Sequence, residues 1–135
     1  MSTVSIRAAL EARLNGITPA LATAFENAPF KPPAATVPYQ ICNVLFARPD
    51  NTEIGRSHQE LGYMQVRLMY PMNTGSSAAM TRAELIRTNF ERASTVSSGG
   101  VTVNITETPE IETTGIEDNR YTVLVKIRFR SFIPT

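Results

Sequence analysis

Leu61-Gly62-Tyr63-Met64-Gln65-Val66-Arg67-Leu68-Met69-Tyr70-Pro71, with the turn Asn73-Thr74-Gly75-Ser76 and the stripe Ala79, Ala83, Ile86 and Phe90 behind it, decides the fold. Side chains alternate across a strand with period two, so Met64, Val66, Leu68 and Tyr70 share one face of a long strand. Pro71 has no N–H for a ladder and ends it. The stripe that follows has helical spacing. Ser76, Ser77 and Thr81 can each cap that helix, Thr81 with Glu84 as a capping box.

Upstream, Ser2-Thr3-Val4-Ser5 offers N-cap residues, and Ile6, Leu10 and Leu14 follow at helical spacing with Ala9 beside them. An amphipathic helix is expected over about Thr3–Asn15, closed by Gly16. Ile17 to Phe25 reads either as one more helical turn after Thr18-Pro19 or as an irregular extended piece. Four prolines between Asn27 and Pro38 exclude regular helix there. Phe30 sits among them, so the segment reads as a stiff arm pinned by one aromatic, either as a surface loop or as a reach toward a neighbouring subunit. Val37 to Ala47 is the first clear strand, with Tyr39, Ile41 and Leu45 on one face and Cys42, Val44 and Phe46 on the other. Arg48-Pro49-Asp50-Asn51 breaks it. A return strand from about Ser57 to Tyr70 then completes an antiparallel hairpin.

Downstream, Ser97-Ser98-Gly99-Gly100 reads as a helix exit and flexible link. Val101, Val103 and Ile105 alternate in the next strand. Glu107, Glu110, Glu112, Glu117 and Asp118 then form an acidic connection, read as a solvated loop. Tyr121 to Phe132 is the last strand signal, with Tyr121, Val123, Val125, Ile127 and Phe129 on one face and Lys126, Arg128 and Arg130 on the other. The expected fold is α+β in the order α-β-β-α-β-β, a mostly antiparallel four-stranded sheet with two helices on one face. Residues 1–135 are expected to form one domain, with a proline-rich arm over about 26–38.

Composition excludes several function classes. A net charge of +1 gives no global reason to meet nucleic acid or an anionic membrane, and no apolar run is long enough to span a bilayer. The start lacks a signal peptide's basic region and apolar block, and one cysteine, Cys42, fits a reducing compartment. His58 is the only histidine and reads as a solvated strand-end residue; Cys42 reads as a small core residue. The acidic connection lacks a calcium-loop pattern, and no phosphate-cradling glycine loop or nucleophile elbow is present. No catalytic, metal or cofactor residue is assigned. The stripe Lys126, Arg128, Arg130 has three readings: a solvated face, a phosphate contact, or a partner for the acidic residues of another copy in a head-to-tail ring.

Two segments together resemble phage tail-terminator (tail-completion) proteins and related minor tail proteins. One is Phe25-Glu26-Asn27-Ala28-Pro29-Phe30-Lys31-Pro32, similar to an arm that precedes the first long strand in that family. The other is Gly62 to Pro71 with Gly75 and the helix ending at Phe90. The resemblance implies a structural subunit without enzymatic activity or cofactor. It implies a homo-oligomer, a hexameric ring in its typical form, that caps the tail tube and offers a surface for the head-joining protein. It also implies assembly in the host cytoplasm and residence in the virion tail. Candidate subunit-interface residues are Phe30, Pro32, Lys126, Arg128, Arg130, Glu110 and Glu112. A neck or other minor tail protein is the alternative within this class. A small nucleic-acid-binding domain using the basic strand face is the alternative outside it.

Overall fold

The computed structural model describes residues 2–51, 55–117 and 119–134. Two helices, α1 (Ser2–Asn15) and α2 (Ser77–Asn89), accompany seven strands: β1 (Ala22–Phe25), β2 (Tyr39–Phe46), β3 (His58–Pro71), β4 (Thr95–Ser98), β5 (Val101–Ile105), β6 (Glu110–Glu117) and β7 (Arg120–Ile133). They form one mixed sheet in the order β1-β2-β3-β7-β5-β4, and β6 also pairs with β7.

The centre of the sheet is the long antiparallel pair β3–β7, in register from His58↔Ile133 to Pro71↔Arg120. Alternation along these strands sends Met64, Val66 and Leu68 of β3, and Val123, Val125, Ile127 and Phe129 of β7, into the same core as Cys42 and Val44 of β2. Both helices supply this core. Ile6, Leu10 and Leu14 of α1 are fully or almost fully buried, as are Ala79, Ala83 and Ile86 of α2 and Phe90 at its end. Each large aliphatic side chain taken out of water here contributes about 1.5–3 kcal/mol, which is why the helical spacing of these residues fixes which side of each helix faces the sheet. Arg13 closes the layer from the edge of α1, donating to the Asn89 carbonyl at 2.9 Å and the Thr95 carbonyl at 3.1 Å. Gly62 is required by the β2–β3 pairing, because a Cβ at that position would lie 2.1 Å from the Leu45 carbonyl oxygen.

The expected four-stranded sheet in α-β-β-α-β-β order is wrong: the sheet is mixed and has seven strands. Three strands lie in segments without a clear period-two signal. Ala22–Phe25, in the segment left open between helix and extended chain, is a parallel strand beside β2, with Ala22 opposite Tyr39. Four residues are too few to show a period. Ser97-Ser98-Gly99-Gly100 is no flexible link but the end and turn of a tight β4–β5 hairpin. Gly99 and Gly100 both have positive φ, 57° and 79°, as a two-residue primed turn demands.

The acidic connection is the third case, and it carries strand β6. Glu110 stands opposite Lys126 and Ile111 opposite Val125, and a bulge between Thr113 and Gly115 shifts the register before Glu117 meets Arg120. Its glutamates point to the outer face, and the apolar alternation is reduced to Ile111, so charge masked the strand. Asp118, part of the same acidic run, lies outside the described residues. The far edge of β7 is therefore shared: its first half pairs with β6, while Phe129 and Arg130 pair with Ile105 and Asn104 of β5. The sheet forks at that point.

Candidate assembly surfaces

The face of the sheet turned away from the helices is built from Tyr39, Ile41, Asn43 and Leu45 of β2, Leu61, Tyr63, Gln65, Arg67 and Met69 of β3, and the even-numbered residues of β7. One end of this outer face is covered by the proline-rich arm. Arg120, buried and with no carboxylate partner among the described residues, fastens it there. Its guanidinium donates to the carbonyls of Ala34 (2.8 Å), Pro33 (3.0 Å) and Val37, makes a longer contact to the Met69 carbonyl, and lies 4.7 Å above the Tyr39 ring. Five donors in a fixed fork suit Arg to this collection of carbonyls. Phe30 packs against Tyr39 as well, with ring centroids 5.4 Å apart. Pro32 is exposed on the same arm. In this chain the arm is thus bound to its own sheet, and Phe30 is part of that attachment.

The other end of the outer face is bare and charged. Lys126 lies 4.8 Å and Arg128 5.9 Å from the centre of the Tyr63 ring. Arg128 also approaches Glu107 at 3.5 Å and Glu110 at 3.7 Å, so the basic stripe and the acidic run face each other within the chain. Arg67 reaches across β7 to Glu117 at 3.1 Å. Arg130 and Glu112 are exposed and have no ion pair among the described residues. Exposed pairs of this kind contribute at most about 1 kcal/mol each to stability, because solvent screens them.

The nucleophile candidates have structural surroundings. Burial, reinforced by the charges of Glu11 and Glu26 against the opposing influence of Arg7, pushes the Cys42 thiol up to about 12, so it holds its proton and packs as a small apolar residue. His58 Nε2 sits 3.0 Å from Glu60 Oε1 at the start of β3. Among the described residues no three His, Cys, Asp or Glu side chains converge as a metal site, and no helix is long and apolar enough to cross a membrane.

A family model described as phage tail terminator protein matches residues 5–129. The chain belongs to the phage tail terminator family. This match starts three residues inside α1, takes in α2 and strands β1 to β6 whole, and stops four residues short of the end of β7. A solved structure 30% identical in sequence superimposes with a TM-score of 0.79, over 100% of this chain and 99% of the other. No curated protein matches the chain. Terminators are structural proteins, so the role is in tail assembly, in contact with tail and head components, and the protein is a component of the virion tail.

One further feature of the terminator chain escaped the reading of its sequence. Arg82 on α2 is 5% exposed. It donates one Nη to the Pro19 carbonyl, while its Nε has no partner among the described residues. Burial lowers its pKa, the nearby Tyr70 acting the other way, and burial likewise raises that of Tyr70. Arg82 lines an open groove of about 460 Å³ whose other walls include Pro19, Leu21, Pro38, Tyr70 and Leu85. The signal was available, since position 82 is three residues after Ala79 and four before Ile86, on the buried stripe. Arg120 had no such signal, because its burial comes from an arm more than eighty residues earlier in the chain.

Proposed function

We propose that this terminator acts by stoichiometric binding: copies assemble as a closed ring on the end of a finished tail tube, stop its growth, and present a surface for head joining. The observation that supports this most is the pair of unlike edges that terminate one branch of the forked sheet. The run β1-β2-β3-β7-β6 ends on one side in the short neutral β1 and on the other in the eight-residue acidic β6. Unpaired edges are ready to accept another chain unless they are blunted. Two β6 edges placed against each other would oppose glutamates, which disfavours a two-fold pair. A contact between unlike surfaces closes into a ring when the rotation permits.

Arg130, Glu112, Phe30 and Pro32 are the exposed or arm residues best placed to meet a neighbour. Lys126, Arg128 and Glu110 act in this reading as a charge cluster shared between one subunit's own strands. That cluster also argues against the nucleic-acid alternative, since Glu107 and Glu110 beside Arg128 would repel a phosphate. The test is to add purified protein to polymerising tail-tube subunits, measuring mass by light scattering and tube length by electron microscopy. Rings and arrested tubes are expected. A protein that stays monomeric with tube ends present and leaves tube length unchanged overturns the proposal.

A further inference from the structure

We infer that the groove around Arg82 is a docking site for another head or tail component, and that it takes a segment in which an apolar side chain and a carboxylate stand on the same side. The site is separate from the contact between copies and does not depend on a closed ring.

Arg82 is 5% exposed, and its hydrogen bonding among the described residues is limited to one Nη on the Pro19 carbonyl. Its Nε is buried without a partner. Arg120 shows what a buried arginine otherwise has in this protein: the carbonyls of Pro33, Ala34, Val37 and Met69, and the face of the Tyr39 ring. A guanidinium carries five N–H donors and does not shed its charge, so Arg82 keeps donors to spare and faces no carboxylate among the described residues. A buried charge in this state is unfavourable until an anion arrives. Tyr70 stands on the same groove, and burial raises its pKa, so its hydroxyl keeps the proton and is a second donor.

The rest of the groove sets the other half of the occupant. Its space of about 460 Å³ has Pro19, Leu21, Pro38 and Leu85 in its walls. A bare anion would leave those walls wet, whereas an aliphatic or aromatic side chain covers them. The two requirements together select an acidic, apolar segment.

This chain does not supply one. Its exposed large hydrophobic residues are Val4, Val37, Leu45, Ile116 and Phe132, and among the described residues none stands beside a carboxylate on its own face. Val4 is followed a helical turn later by Arg7 and Ala8, and Val37 lies between Thr36 and Pro38. Leu45 is opposite Tyr63, with Arg128 beyond it, and Phe132 is opposite Gln59. Ile116 is opposite Tyr121, while Glu117 turns to the other face and pairs with Arg67. The occupant is therefore a different protein.

The probe is phenylacetate, an apolar ring with one carboxylate, titrated into the full chain while the Arg82 Nε–H and the Leu21 and Leu85 methyl signals are followed by NMR. Phenylacetamide is the neutral control. The carboxylate should shift these signals with a Kd of about 1–10 mM, and the amide should bind about tenfold or more weakly, as a charge-assisted bond requires. Ala78 is exposed on the groove, one helical turn before Arg82. Ala78→Glu brings a carboxylate to Arg82 within the chain and should abolish the response, whereas the equally bulky Ala78→Gln should keep it. Signals that stay still, that move equally with the amide, or that still move in A78E overturn the site. Sedimentation then identifies the class of occupant. Association between copies should be the same in A78E as in the parent, and its loss would make the occupant a second copy and overturn the assignment to another component. None of these outcomes bears on the ring, whose test is tube arrest.

Discussion

Replacing Arg120 with Met keeps most of the buried volume and removes the fork that holds the proline-rich arm. Three arm carbonyls, from Pro33, Ala34 and Val37, lose a charged donor, and the Tyr39 ring loses its cation. At about 1.5 kcal/mol for each of the three charge-assisted bonds and about 1 kcal/mol for the ring contact, the gross loss is about 5.5 kcal/mol. The freed arm recovers part of this. Its carbonyls can bind water once it lifts away, and its chain regains entropy, though less than a flexible loop would because prolines had already stiffened it. A net loss of about 3 kcal/mol is expected, or roughly a 10 °C fall in melting temperature for a chain of this size. The more telling readout is local. Chymotrypsin should cut after Phe30 much faster in R120M than in the parent at a temperature where both are folded, and Tyr39 should become reactive to solvent probes. Arg120→Lys, which keeps the charge but not the fork, should fall between them. If Phe30 stays protected in R120M and the melting temperature moves by less than about 2 °C, other contacts hold the arm and the reasoning fails.

Other expectations follow from single contacts. Gly62→Ala should lower the urea midpoint by the equivalent of about 3 kcal/mol, because the new methyl meets backbone that cannot yield without moving the strand; an unchanged midpoint would contradict the β2–β3 register. Cys42 should resist a disulfide reagent at mildly alkaline pH in the folded protein and react fully in denaturant, whereas fast labelling of the native state would refute its burial. At Glu26, burial pushes the carboxyl up, but the hydrogen bonds from Arg7 and the Val44 amide, with the Arg7 charge, outweigh it and hold the pKa below its usual 4.5. A depressed folded pKa gives stability that is present above the unfolded value and lost as pH falls through the folded one. The stability difference between the parent and Glu26→Gln should therefore be largest near neutrality and shrink below about pH 4, and a constant difference would refute the assignment. Reversal of the exposed Arg130 to Glu should impair association with tube ends more than folding, as sedimentation and thermal melting together can decide.

The parts of this fold legible in the sequence are those where burial on one side imposes a period. Met64, Val66 and Leu68, the alternate residues Val123, Val125, Ile127 and Phe129, and the Ile6–Leu10–Leu14 stripe all face the core as their spacing demands. Strands β1 and β4 are too short to show any period, and β6 carries its glutamates outward with little apolar alternation behind them. For the candidate surfaces the limit is different. Sequence identifies Lys126, Arg128 and Arg130 as a stripe and the glutamates as a run, but not that β6 lies directly against β7 and brings the two together. Arg82 and Arg120 depend on chain that is distant in sequence, where local composition carries no information about contact.

The position of β7 has a consequence for how the protein is made. It is the strand on which β3, β5 and β6 all pair, yet it follows every one of them in the chain. During synthesis the flanking strands emerge first, with no central strand to join them, and their apolar faces wait for residues 120–133. A ribosome that stalls before that point releases two unconnected flanks instead of a smaller version of the subunit. A copy truncated there lacks the strand that joins the β1-β2-β3 flank to β5 and β6, and so has no complete sheet with which to enter an assembly.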